Sequence, residues 1–208
     1  MGAPVPGKPP ILKLIRLERV MDMVYALAIW RLFMLLPRPE GDEFAVANVG
    51  SVLVAHWDVF VIAALGTLIV VVYWWQNNDL LGHLERTDGR HTALSVAQLF
   101  AVLLFLYSIG IGLRVGADPI SRVFESGCAL LVGVMSLAAW RYAIGRGGLL
   151  REGTDPAEVE RLSRRSLSEP LTAAITIPFA FAGPWLWELS WLIYPFLRYL
   201  LGGRGKGG

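Results

Sequence analysis

Arg31 stands inside an apolar run, beside Trp30, where a charge needs a reason. A charge within a membrane span costs at least about 2.5–3.5 kcal/mol on insertion scales, so it faces protein or a water-filled path rather than lipid. The stretch RLERVMDMVYALAIWRLFMLLP, Arg16 to Pro37, also holds Asp22 just inside its apolar part. Leu27, Arg31 and Met34 fall at i, i+4 and i+7, on one helical stripe. The chemistry such a stripe offers is the passage of an ion, not the making of bonds. Ordinary helix packing produces the same spacing. Arg31 can also snorkel: Pro37 lies roughly 9 Å beyond it, next to Glu40, Asp42 and Glu43. Arg16 and Asp22 lie about 9 Å apart along a helix and on different faces. They therefore pair with other helices, or Arg16 meets lipid headgroups while Asp22 stays in the interface.

No set of catalytic groups assembles from the sequence. His56, His83 and His91 are far apart and lack metal-ligand spacing. There is no Walker loop, nucleotide-binding glycine motif, serine-nucleophile elbow or zinc signature. The chain reads as a non-enzyme without cofactor or metal. Its net charge of +2 gives no reason to expect nucleic acid. Cys128, the single cysteine, lies in an apolar run and reads as a small packed residue.

The elements that must position these residues are membrane helices. Of 208 residues, 55% are hydrophobic and 17% charged, and the mean hydropathy is +0.52. Several apolar runs approach the ~20 residues of a spanning helix, and they are too long and uniform for the alternation of a barrel. The reading is an all-α membrane protein with six transmembrane helices in one domain over 16–201, between flexible tails at 1–15 and 202–208. The spans fall at about Arg19–Leu36, Val49–Trp75, Thr92–Leu113, Ile120–Ile144, Pro170–Ala182 and Trp185–Leu201. Tyr73, Trp74 and Trp75 close the second as an interfacial belt. Asn77 and Asn78 then form a turn or hydrogen-bond the cytoplasmic end of the first span. Pro178 reads as a kink and Glu188 as interfacial. Asp155 followed by Pro156 marks a helix start in the arginine-rich segment 145–168. Lys and Arg concentrate in the N-terminal tail, the second and fourth connections and the C-terminus, so both termini are cytoplasmic.

At these residues the chain resembles the prokaryotic branch of the transmembrane protein 175 family, the endolysosomal-type potassium channels. That family opens its first span with an arginine, then Phe-Ser-Asp. Here Arg16 and Asp22 keep the spacing, with Val20 and Met21 in place of Phe and Ser. Its second span ends in a Tyr/Trp pair and a polar segment with histidine. Here that reads Tyr73-Trp74-Trp75-Gln76-Asn77-Asn78, with Asn77 at the histidine position. LERTDGRHTALSVAQLFAVLLF resembles the family's linker and third span. DPAEVERLSRR and FAGPWLWELSWLIYPFL resemble its fifth-span entry and sixth span.

The resemblance implies a homotetrameric ion channel of the bacterial inner membrane, passing potassium along an axis lined by four first helices. Its partners are then a second copy of itself, lipid and the permeant ion. Leu27 takes the position of the main apolar constriction and Trp30 that of a threonine, while Arg31 and Met34 fall at further lining positions. Arg16, Asp22, Trp74 and Asn77 support the pore helix. Two departures stand out. Four Arg31 side chains around a narrow pore repel cations and suit anions, and Trp30 is bulky enough to plug it. An anion-permeable channel and a non-conducting membrane scaffold of the same fold are therefore the alternatives.

Overall fold

The computed structural model describes residues 11–12, 14–34, 36–37, 48–115, 118–145 and 148–203. Most of the first tail, the acidic loop with Glu40, Asp42 and Glu43, and 204–208 lie outside the described residues.

Helix α1 runs Leu14–Phe33 without an internal glycine or proline. A tightened turn, Leu36 N–H to Phe33 C=O at 3.1 Å, ends it just before Pro37. Its buried residues, Leu17, Met21, Tyr25, Ala28 and Leu32, recur every three or four positions and form one face. This face packs mainly on α3 (Trp57–Leu81). Gly66 of α3 permits the close approach, because a Cβ there would lie 2.9 Å from Leu32 Cδ2.

The second apolar run is not one helix. It divides at His56, whose φ −123°, ψ 23° is non-helical, into α2 (Val49–Ala55) and α3. The Asn48 side chain caps α2 by accepting the Ser51 N–H at 2.9 Å. The helix also outlasts the Tyr-Trp-Trp cluster. No breaker follows before Gly82, so α3 continues through Gln76–Asp79 to Leu81, and Asn77 is buried in helix rather than placed in a turn.

Helices α4 (Gly89–Val115) and α5 (Pro119–Gly145) form the most extensively packed pair. The buried face of α5 is rich in small residues, among them Ser126, Ala129, Gly133, Ser136 and Ala143. Cys128 is buried there, as its sequence context predicts. Asp155 caps α6 (Pro156–Arg165) through the Ala157 N–H at 2.9 Å. Helix α7 (Ser168–Phe179) follows, with Pro178 in its last turn. The expected sixth span is two helices, α8 (Pro184–Ser190) and α9 (Ile193–Gly202). The break follows from Pro195, which has no N–H to give the Trp191 carbonyl. That carbonyl takes the Tyr194 N–H instead, at 3.0 Å.

Part of the expected N-terminal tail is ordered. Strand β1 (Ile11–Leu12) pairs antiparallel with β2 (Thr87–Asp88). Asp88 then caps α4: its Oδ1 accepts the His91 N–H at 2.8 Å, and its Oδ2 the Tyr142 hydroxyl at 2.6 Å. Burial pushes the Asp88 carboxyl up, but the hydrogen bonds from His91, Tyr142 and Arg90 together hold it below its ordinary 3.8. Because the folded value is the lower one, this stabilisation is present above the ordinary value and is lost as pH falls through the folded value. Asp88→Ala is expected to cost on the order of 1–2 kcal/mol at neutral pH. Melting curves of both proteins between pH 7 and pH 3 check this: the gap should close on the acid side, and a pH-independent gap would contradict it.

Among the described residues, three helices are long and apolar enough to cross a membrane: α3, Gly89–Gly112 of α4, and α5. Helix α1 has the length, 20 residues, but carries Arg16, Glu18, Arg19, Asp22 and Arg31. Helices α7, α8 and α9, at 12, 7 and 10 residues, are each shorter than the ~20 one spanning helix needs.

Candidate functional site

The face of α1 turned away from α3 is uncovered. Leu27 and Trp30 are each 57% exposed, and Met23 and Phe33 are exposed beside them. Arg31 shares this open face, and Met34 is half-buried at its end. Arg31 forms no ion pair among the described residues. One side of the helix thus meets its own subunit through five side chains, while the other presents a mainly apolar stripe carrying one cation.

Two contacts fix the helix in rotation. Trp74 Nε1 of α3 donates to Asp22 Oδ1 at 2.8 Å. One turn further along α3, the buried Asn77 Nδ2 reaches Met21 Sδ at 3.5 Å. Met21 and Asp22 are adjacent, and Trp74 and Asn77 are three apart, so both pairs sit on one seam between α1 and α3. The fold therefore brings together three of the four residues singled out as supports. Arg16 is exposed on α1 and stands apart from this seam.

Glu125 and Glu169 went unnoticed in the sequence. Glu125, Glu169 and Glu188 come from α5, α7 and α8, and with Arg122 they line one large cavity against α3. Glu188, expected from the sequence to be interfacial, forms part of this cavity wall. Glu125 and Glu188 are lone acids in apolar stretches, the same signal that drew attention to Arg31, whereas Glu169 follows Arg164 and Arg165 among serines.

Residues 16–105, the segment holding α1, α3 and their seam, match the family model described as the endosomal/lysosomal potassium channel TMEM175. Over that segment the chain is similar to the TMEM175 family. Among solved structures it is similar to a lysosomal potassium-selective channel TMEM175 homolog from Chamaesiphon minutus. The TM-score is 0.70 at 16% identity, over 91% of this chain and 98% of that one. It is also similar to a variant of the potassium channel MtTMEM175 in complex with a nanobody–MBP fusion protein. There the TM-score is 0.62 at 16% identity, over 97% and 94%. At that identity the two structures show a shared fold. No curated protein matches the chain. With a segment that matches a channel family model and three described helices long and apolar enough to span a bilayer, it is a membrane protein.

Proposed function

We propose that the protein is a potassium-permeable ion channel whose pore is lined by α1. The observation that carries this reading is the division of α1 into a face buried on α3 and an open, mainly apolar stripe through Leu27. A stripe of that kind suits an axis where identical helices meet. The TMEM175 match over the same segment and the channels named among the similar structures support it. In this reading four copies assemble, Leu27 forms the narrowest apolar ring, and the Asp22–Trp74 and Asn77–Met21 contacts set the rotation that points Leu27 inward. Arg16, at the start of α1, supports the helix from a neighbouring copy or from headgroups. Helices α1, α3, α4 and α5 each make one passage, α7 with the polar helix α6 that leads into it the fifth, and α8 with α9 the sixth, in the bacterial inner membrane with both termini cytoplasmic. This counts α1 in spite of its charges, because its exposed cation then faces the axis rather than lipid.

Purified protein in liposomes is expected to carry potassium down a gradient. Leu27→Ala should raise the flux at least tenfold by widening the ring, read with a potassium-sensitive dye. Flux of no ion by the wild-type protein would sink the channel reading and leave a membrane scaffold of the same fold.

One observation favours a second reading. Arg31 lies exposed on the same face as Leu27, and a ring of guanidinium groups favours anions. The sign of the reversal potential under a potassium chloride gradient separates the two.

A further inference from the structure

We propose that each subunit holds a binding site for an organic ammonium with an apolar body, in the cavity between α3 and the α4, α5, α7 and α8 group. The cavity measures about 600 Å³, within the ~300–1,000 Å³ of small-molecule sites. Most of its wall is apolar, from Leu65 and Ile69 of α3 to Ala173 of α7.

Its polar groups are unbalanced. Glu125, Glu169 and Glu188 line it against the single guanidinium of Arg122, and Arg122 already donates to the Ala180 carbonyl at 2.6 Å. Glu169 Oε1 is buried with no hydrogen-bond partner among the described residues, a state that calls for a donor. Glu125 lines the same cavity as a second acid.

Aromatic rings complete the wall. Trp187 and Trp191 meet edge to face at 6.1 Å, and Phe105 lies 6.4 Å from Trp191. Trp187 is held in place by its indole N–H, which donates to Ser126 at 3.0 Å. Ring faces and spread carboxylates together suit a diffuse cation on an apolar body. A metal ion fits poorly, because no three His, Cys, Asp or Glu side chains among the described residues are placed to hold one. An alkyl chain alone would leave Glu169 Oε1 without a donor.

The site does not rest on conduction, and its test reads binding alone. Full-length protein in lipid nanodiscs is dialysed against 2-naphthylmethylammonium, 2-naphthylmethanol or 2-naphthoate, with empty nanodiscs as the partition background. The ammonium should bind saturably and at least tenfold more tightly than the alcohol, and the naphthoate not at all. Glu169→Gln or Glu125→Gln should cut that preference at least tenfold and leave the alcohol unchanged. Equal binding of ammonium and alcohol, or a preference that neither substitution alters, would overturn the proposal. So would no saturable uptake, the result if a neighbouring copy fills the cavity. The three-probe comparison on the unaltered chain decides even where a variant fails to fold.

Discussion

Arg31→Gln is expected to raise the permeability of potassium on the order of 100-fold in the proposed tetramer, and its ratio to that of chloride by more, since the attraction for chloride is lost as well. The estimate follows from charge alone. A cation on the axis about 6 Å from each of four guanidinium groups meets about 0.7 kcal/mol of repulsion from each, even with water-like screening. The four sum to about 2.8 kcal/mol, which is about two powers of ten in a barrier. A drier ring would raise the figure. The measurement is the reversal potential of reconstituted protein under a potassium chloride gradient, which should move toward the potassium equilibrium value in the variant. An unchanged reversal potential would mean that Arg31 points away from the axis, toward the membrane surface beyond Pro37.

Gly133→Val should strongly destabilise the folded protein. A Cβ at Gly133 would lie 2.7 Å from both the backbone nitrogen and Cδ of Pro170. Neither atom belongs to a flexible side chain that could swing aside, so α5 and α7 would have to separate. Overpacking of this kind costs about 1–3 kcal/mol and sometimes more, a large share of the ~5–15 kcal/mol that holds a typical fold. Gly127→Ala on the same helix is the control, because nothing lies within 4 Å of its Cβ position. Size-exclusion profiles in detergent should show a single sharp peak for the control and aggregate for the valine variant. A sharp peak for both would refute the close-packing account.

What could be read from the sequence follows from how local the signal is. The extent of α5, the burial of Cys128 and the Asp155–Pro156 start of α6 rest on residues adjacent in the chain, and the structure has all three. The division of the last span was also written locally, in Pro195, but hydropathy outweighed it. Continuation of α3 to Leu81 was hidden because Gln76–Asp79 looked like a loop. Burial of Asn77 against Met21 makes it helix, and that burial is tertiary. The cavity was least visible. Glu125, Glu169 and Glu188 are scattered along the chain, and only the packing of α5, α7 and α8 gathers them. For the stripe through Leu27, the decisive contacts in the proposed assembly lie between copies, beyond what one chain's own packing determines.

The two-residue pairing of β1 with β2 has a mechanical meaning. A single residue, Lys13, separates β1 from α1, while β2 runs directly into α4 and its Asp88 is bonded to Tyr142 of α5. The start of α1 is thus tied to the α4–α5 pair as a lever arm is tied to its fulcrum. In the proposed channel, a tilt of that pair would drag the entrance of α1 along with it, and torque applied far from the axis would reach the helix proposed to line it.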